Sequence, residues 1–132
     1  MSERDYLLSD AEVLQFIVDG YMVLKPDFPE GFNEYCYDEC TKATADGNPG
    51  DSILELVPKL HDVWGHPMVR GALMSLVGTD FQMSGHRHCH VNPPGTRSQG
   101  WHQDGTNQRH HNARVVLGFY YPQETTPDLG PT

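Results

Sequence analysis

The sequence predicts an α+β fold, with helices in residues 1–80 and strands in residues 81–132. Apolar residues in the first part recur every three or four positions, which is the spacing of an amphipathic helix. From Phe81 onward the pattern changes to a period of two, which is typical of strands. A chain of 132 residues predicts a single domain, with a mainly helical first part and a strand-forming second part.

The first helix and the segment after it carry clear boundary signals. Ser9 and Glu12 have the spacing of a capping box, in which each side chain binds the backbone of the other residue. Gly20 is the residue type that ends a helix. The β-prone run at residues 21–24 then predicts a short strand, which ends before Pro26.

Further helices are predicted before residue 80. The second helix extends from about residue 30 to residue 45 and stops at the turn-forming residues 47–50. Residues 53–60 are apolar but are interrupted by Pro58. Another helix begins near Pro67, since proline suits the first helical turn, and ends at Gly78. The predicted buried face of that helix consists of Val69, Leu73, Leu76 and Val77.

Residues 85–91 alternate strictly and form the first predicted strand of the second part. Three histidines, His86, His88 and His90, fall on one face of that strand. One interpretation of this face is a metal site with His88 and His90 as ligands. The simpler interpretation is a polar strand face that lines a wet cavity.

Residues 113–121 form the clearest predicted strand. Its alternation predicts two faces, one with Val115, Leu117 and Phe119, the other with Val116, Gly118 and Tyr120. Between the two strands lies a polar loop that contains His110 and His111. Adjacent residues of an extended segment point in opposite directions, so these two histidines are assigned no ligand role.

The chain has three cysteines, Cys36, Cys40 and Cys89, whose spacing predicts no disulfide framework. Cys36 and Cys40 lie four positions apart on the predicted second helix. They are either a pair of soft metal ligands or two small buried apolar residues, and the absence of other cysteines or histidines nearby favours the second interpretation. This cysteine usage favours a reducing, cytoplasmic location.

Charge and hydropathy exclude several classes of partner. The chain has 18 acidic against 9 basic residues and a formal net charge of −9, which disfavours binding to the phosphate backbone of nucleic acids. No apolar run is long enough for a membrane span, and no apolar segment follows the charged N-terminus as it would in a signal peptide. Neither nucleic acid nor a membrane is therefore the expected partner, and the oligomeric state stays open.

The segment that carries the predicted chemistry is Trp101-His102-Gln103-Asp104-Gly105. His102 and Asp104 are two residues apart, so both side chains share one face of an extended strand. An imidazole and a carboxylate on one face are two of the three ligands of the facial triad that binds Fe(II). The sequence therefore predicts His102 and Asp104 as metal ligands and catalytic residues.

This segment and several others resemble the phytanoyl-CoA dioxygenase family. The resemblance rests on His90-Val91-Asn92-Pro93-Pro94-Gly95, on residues 101–105, and on three further stretches in matching order: residues 19–24, 115–122 and 129–132. It implies a double-stranded β-helix, of jelly-roll or cupin-like form, on which the N-terminal helices pack. It also implies an oxygenase that uses Fe(II) and takes 2-oxoglutarate as cosubstrate.

The resemblance further implies a pocket beside the metal. His90, Asn92 and Phe119 are the residues that it assigns to binding 2-oxoglutarate or the substrate. The family often has a lysine at the position of Asn92, so here a hydrogen bond from Asn92 or His90 replaces the ionic contact. For Phe119 the alternative is an ordinary core aromatic.

One part of the family pattern is missing from these residues. The family's second histidine ligand and a basic residue for 2-oxoglutarate would follow Leu129-Gly130-Pro131-Thr132. We therefore expect residues 81–132 to be only the first part of the β-helix, and the 132 residues to be an inactive, aggregation-prone N-terminal fragment. The missing histidine is expected within about one strand length, roughly 5–10 residues, after Thr132.

The expected reaction is hydroxylation of a small organic molecule, with 2-oxoglutarate and dioxygen converted to succinate and carbon dioxide. The carboxylate of Asp104 favours hydroxylation over halogenation, because related halogenases lack a carboxylate there. Two alternatives remain. One is a cupin-type metal enzyme that uses His88, His90 and His102 without 2-oxoglutarate, and the other is a non-catalytic β-helix binding module.

Overall fold

The computed structural model describes residues 3–85, 87–91, 95, 97, 100 and 115–127. Within these residues the fold is helical. A 3-10 helix at Glu3–Tyr6 precedes α1 (Asp10–Asp19) and α2 (Phe32–Ala43), and a second one at Gly50–Ser52 precedes three more α-helices. These are α3 (Ile53–Leu56), α4 (Leu60–Gly65) and α5 (Pro67–Val77).

The first helix forms as the sequence predicts. The Glu12 carboxylate accepts a hydrogen bond of 2.7 Å from the Ser9 backbone N–H, and the Ser9 hydroxyl accepts one of 3.4 Å from the Glu12 N–H. Gly20 ends the helix in the left-handed conformation, at φ 78°, and its N–H donates to the Phe16 carbonyl at 2.8 Å. The predicted capping box and helix end are both confirmed, although α1 itself buries no residue.

Helix α2 supplies the main buried stripe. Phe32 and Cys36 are buried on it, one turn apart, and Cys40 is half-buried a turn further on. Pro58 separates the short helices α3 and α4, which explains why the apolar run at residues 53–60 does not form one helix. One hydrophobic core results, which comprises Phe32, Cys36, Ile53, Leu54, Val57, Leu60 and Val63.

Helix α5 begins at Pro67 and is capped by His66. The Nδ1 atom of His66 accepts a hydrogen bond of 3.2 Å from the Met68 N–H, so this histidine caps the start of the helix. The helix ends before Gly78, also as predicted. It packs against the first 3-10 helix, where the Leu8 N–H donates to the Ser75 hydroxyl at 2.9 Å.

The predicted fold class is wrong. A short strand was expected at residues 21–24, and strands of a double-stranded β-helix were expected at residues 85–91 and 113–121. No strand forms in the part of the chain that the structure describes, so no jelly-roll or cupin-like sheet is evident there. The alternation that predicted strands is nevertheless present in the exposure of residues 21–28 and, except at Gly118, of residues 115–121. Alternation requires only that one side of a segment is covered, and here helices supply that cover instead of a hydrogen-bonded neighbouring strand.

No helix among the described residues is both long and apolar enough to cross a membrane.

Candidate functional site

The predicted metal ligands His102 and Asp104 and the predicted cosubstrate residue Asn92 lie outside the described residues. The structure does describe the chain on both sides of that motif, including His90 and Phe119. The site can therefore be built from these two flanking segments, which are residues 87–91 before the motif and residues 115–121 after it.

Both flanking segments pack against the helical body. The side chains of Cys89, in the first segment, and Tyr120, in the second, lie against the core cluster that contains Cys36 of α2. The Tyr120 hydroxyl also bonds to Asn33 of α2. The chain is therefore attached to the helical body both before and after the motif.

Tyr120 is the main anchor of the second segment. Its hydroxyl donates a hydrogen bond of 2.7 Å to Oδ1 of Asn33, and its ring meets the edge of the Phe28 ring with centroids 6.3 Å apart. Burial and the neighbouring Cys36 thiol raise the pKa of the phenol, so the group stays a neutral donor. This arrangement gives Tyr120 a structural role that sequence patterns did not single out.

Phe119 faces away from the helical body. Its side chain is 58% exposed and stacks on Tyr121 with ring centroids 6.4 Å apart. The two faces predicted for this segment are confirmed, since Val115, Leu117 and Phe119 are exposed while Tyr120 is half-buried. The alternative that Phe119 is a core aromatic is wrong in this structure, and its contact with a cosubstrate stays a prediction.

His88 and His90 lie side by side, on the exposed face of the first segment. Their ring centroids are 5.8 Å apart, and Cys89 between them points toward the helices. In the described part of the chain, no group of three or more histidine, cysteine or acidic side chains is placed to hold a metal ion. His88 and His90 therefore offer two imidazole groups to a metal ion, and the described residues place no third ligand beside them.

Asn48 contacts the ring of His88. The Asn48 amide oxygen accepts a hydrogen bond of 2.8 Å from the Gly50 N–H, which leaves its NH₂ group facing Nδ1 of His88 at 3.1 Å. A neutral His88 that accepts this bond at Nδ1 carries its proton on Nε2. The Nε2 atom then has no free lone pair for a metal, so metal binding by His88 would require the Asn48 contact to break.

A cleft of about 370 Å³ lies next to these histidines. It is bounded by the end of α2, by the turn that follows, and by residues 89–91, and its lining consists of Thr44, Ala45, Gly47, Asn48, Cys89, His90 and Val91. Of the two predicted cofactor-binding residues that the structure describes, His90 and Phe119, it is His90 that lines this cleft. A larger groove of about 610 Å³ between α1 and α5 lies on the N-terminal part of the chain and contains none of the predicted site residues.

Asp51 fixes the start of the first segment. Its carboxylate accepts a hydrogen bond of 3.0 Å from the Arg87 backbone N–H, and its carbonyl accepts one of 3.2 Å from Nη1 of Arg87. These contacts, together with the Asn48 contact to His88, hold the segment to the turn after α2. Sequence analysis missed Asn48, Asp51 and Arg87, because residues 36 to 40 positions apart give no local signal of contact.

The three thiols have pKa values above the ordinary 9.0. Burial, followed by the neighbouring Cys89, raises the pKa of Cys40 to about 12, and burial likewise raises the pKa of Cys36 and of Cys89. All three are therefore protonated near neutral pH. Complete burial of Cys36 and half-burial of Cys40 agree with the prediction that these residues act as small apolar side chains.

No protein-family model, no curated protein and no solved structure matches this chain.

Proposed function

We propose that the protein is an Fe(II)- and 2-oxoglutarate-dependent dioxygenase that hydroxylates a small organic molecule. The observation that carries this proposal is the His102-Gln103-Asp104 motif, preceded by Pro93-Pro94-Gly95. Imidazole and carboxylate donors suit Fe(II), and their two-residue spacing allows one extended segment to present both.

The geometry around the motif supports the proposal in one respect. A metal site needs ligands held by a rigid scaffold, because ligand preorganisation sets affinity. The residues before the motif are anchored by Cys89 and Arg87, and those after it by Tyr120. All three anchors attach to the helical body, which has its own core.

In this proposal each residue has a limited role. His102 and Asp104 hold the iron, which supplies the activation of dioxygen when it is bound. The Asp104 carboxylate occupies a position that would be open to halide in a halogenase. His90 faces the cleft with a polar ring that can donate or accept a hydrogen bond, and Asn92 offers an amide where related proteins often have a lysine.

The test compares ligand variants with a surface histidine variant. His102→Ala and Asp104→Ala should each abolish substrate hydroxylation, since each removes one donor from the metal. His61→Ala is the matched control, because His61 is an exposed histidine on α4. All variants are prepared in the same way, and Fe(II) binding by equilibrium dialysis and succinate formation are measured together.

Full hydroxylation by Asp104→Ala would contradict the assignment of that ligand. Uncoupled turnover of 2-oxoglutarate at a reduced rate would not, because a damaged site still consumes cosubstrate. Circular dichroism shows whether each variant keeps the helical body, so a loss of activity through unfolding is recognised.

A cupin-type metal enzyme is the second candidate, and the adjacency of the His88 and His90 rings favours it. It requires that His88→Ala and His90→Ala each abolish metal binding while His102→Ala does not. The Asn48 contact argues against it, because that contact occupies Nδ1 of His88 and so leaves this nitrogen closed to a metal. Asn48→Ala should strengthen metal binding if this second candidate is correct.

A further inference from the structure

Helix α1 has an apolar face that is open to solvent. The helix buries no residue, and its large apolar side chains Leu14 and Ile17 are 61% and 69% exposed. A helix of ten residues is only marginally stable in water by itself, and most helices are stabilised by packing of an apolar face. The contacts within one copy of the chain leave this face of α1 largely uncovered.

The groove of about 610 Å³ between α1 and α5 lies beside that face. Helix α1 contributes Val13, Leu14 and Ile17 to its lining, and α5 contributes Met74 and Ser75. A groove with mainly apolar walls suits the apolar face of another amphipathic helix. The next question is which helix carries the matching charges.

The charged residues that line the groove are Arg4 and Asp10, which have opposite signs. The other two carboxylates of α1, on Glu12 and Asp19, do not line the groove, and each accepts a hydrogen bond from a residue of its own copy. The chain as a whole has a net charge of −9, so two copies repel each other over much of their surface. A groove whose own charges sum to zero avoids that repulsion.

We propose that the groove between α1 and α5 binds α1 of a second copy of this chain, which forms a two-fold symmetric dimer. In such an interface the same surface of both copies meets, and every contact occurs twice. Leu14 and Ile17 of each copy enter the groove of the other. Arg4 of each copy meets Asp10 of the other, so one residue of each sign is sufficient to pair both charges.

The dimer is separate from the proposed iron chemistry. The groove contains none of the predicted metal or cosubstrate residues. Dimer formation therefore requires neither iron nor 2-oxoglutarate, and the proposal holds whether or not the chain is an oxygenase.

Sedimentation equilibrium of the folded chain, from low micromolar to millimolar concentration, tests the proposal. The average mass should rise from one chain to two and then stay constant. Ile17→Glu should raise the dissociation constant by about tenfold or more, because it places an unpaired carboxylate in the interface. Leu56→Glu is the matched control, since Leu56 is an exposed apolar residue of α3 outside the groove, and it should leave the dissociation constant unchanged.

Charge reversal tests the pairing of Arg4 with Asp10 across the dimer. Arg4→Glu and Asp10→Arg should each weaken self-association, because each variant brings like charges together at both copies of the contact. A mixture of the two variants should associate as a mixed dimer, since both contacts then join opposite charges. A pairing within one copy would not give this recovery, and high salt should reduce it. Circular dichroism shows that each variant keeps its helices.

Four results would overturn the inference. A mass of one chain at every concentration would show that the groove does not bind a second copy and is free for a different protein. A mass that continues to rise beyond two chains would exclude the closed two-fold arrangement. A dimer that Ile17→Glu leaves intact would place the interface elsewhere, and failure of the two charge variants to associate with each other would refute the pairing of Arg4 with Asp10.

Discussion

The helical body and the two segments that flank the motif bury their apolar residues in different ways. In the body, Phe32 is 6% exposed and Val57 is 2% exposed, because α2, α3 and α4 cover each other. In residues 115–121, Phe119 is 58% exposed and Leu117 is 49% exposed, and only the opposite face meets the helices. The body thus supplies its own core, whereas the segments depend on it for one face.

The helical body and residues 115–121 also differ in how their backbone N–H and C=O groups find hydrogen-bond partners. A helix satisfies its own N–H and C=O groups, so the body needs no other part of the chain for this. Residues 115–121 form no strand with another described residue, so they are held by side chains such as Tyr120. This contrast teaches that the helical body holds its own structure, whereas residues 115–121 depend on their contacts with it.

The largest expected effect comes from two phenylalanines, one in each region. Phe32→Ala should lower the free energy of unfolding by about 3–5 kcal/mol, because it removes a buried ring stacked on Phe28 with centroids 4.3 Å apart. Phe119→Ala is the same substitution at an exposed position and should change that free energy by no more than about 0.5 kcal/mol. Urea unfolding followed by circular dichroism measures both.

Activity assays add a second comparison between Phe32→Ala and Phe119→Ala. If Phe119 contacts the cosubstrate, Phe119→Ala should raise the KM for 2-oxoglutarate while stability is retained. Equal destabilisation by the two variants would mean that the outward face of residues 115–121 is covered after all.

An intermediate effect is expected where the two regions touch. A Cβ atom added at Gly118 would stand 2.5 Å from Cζ3 of Trp64, so Gly118→Ala must push the segment away from α4. We expect a loss of about 1–3 kcal/mol, which is typical of overpacking. Gly65→Ala is the control, because a Cβ there meets no atom within 4 Å.

The same Gly118→Ala variant can be followed by tryptophan fluorescence, since Trp64 lies at the contact. An emission spectrum and a thermal midpoint that both equal those of the unmodified protein would show that residues 115–121 do not pack on Trp64.

The smallest effect is expected at the N-terminus of α1, which buries no residue. Hydrogen bonds from the backbone and side chain of Ser9 hold the pKa of Glu12 below its ordinary 4.5. The capping contribution is therefore complete above pH 4.5 and is lost as the pH falls through the lower pKa of the folded state. Ser9→Ala should lower the thermal midpoint slightly at neutral pH, and this difference should shrink in acid.

Ser52→Ala serves as the control for that measurement. Ser52 precedes α3 but makes no side-chain capping bond, so its removal should leave the midpoint unchanged at either pH. A deficit for Ser9→Ala that is the same in acid as at neutral pH would mean that Glu12 takes no part in the cap.

Local signals predicted the helices well and the sheet poorly. The capping box at Ser9 and Glu12, the stop at Gly20 and the start at Pro67 all depend on neighbouring residues, and all are confirmed. The predicted strands were wrong because alternation records which side of a segment is covered and says nothing of what covers it. For residues 115–121 the cover is α2 and α4, through Tyr120 and Gly118.

In the candidate site, too, some features follow from the local sequence and others are visible only in the tertiary structure. Residue type and spacing were sufficient to single out His102 and Asp104, because two donors on one extended segment require no knowledge of the rest of the chain. The sequence by itself also divided the side chains of residues 115–121 between two faces, but it did not determine which face turns inward. Only the tertiary structure decided that Asn48 contacts the His88 ring and that Arg87 is anchored on Asp51. These contacts join residues 36 to 40 positions apart, and they exist because the helical body brings the turn after α2 against residues 87–91.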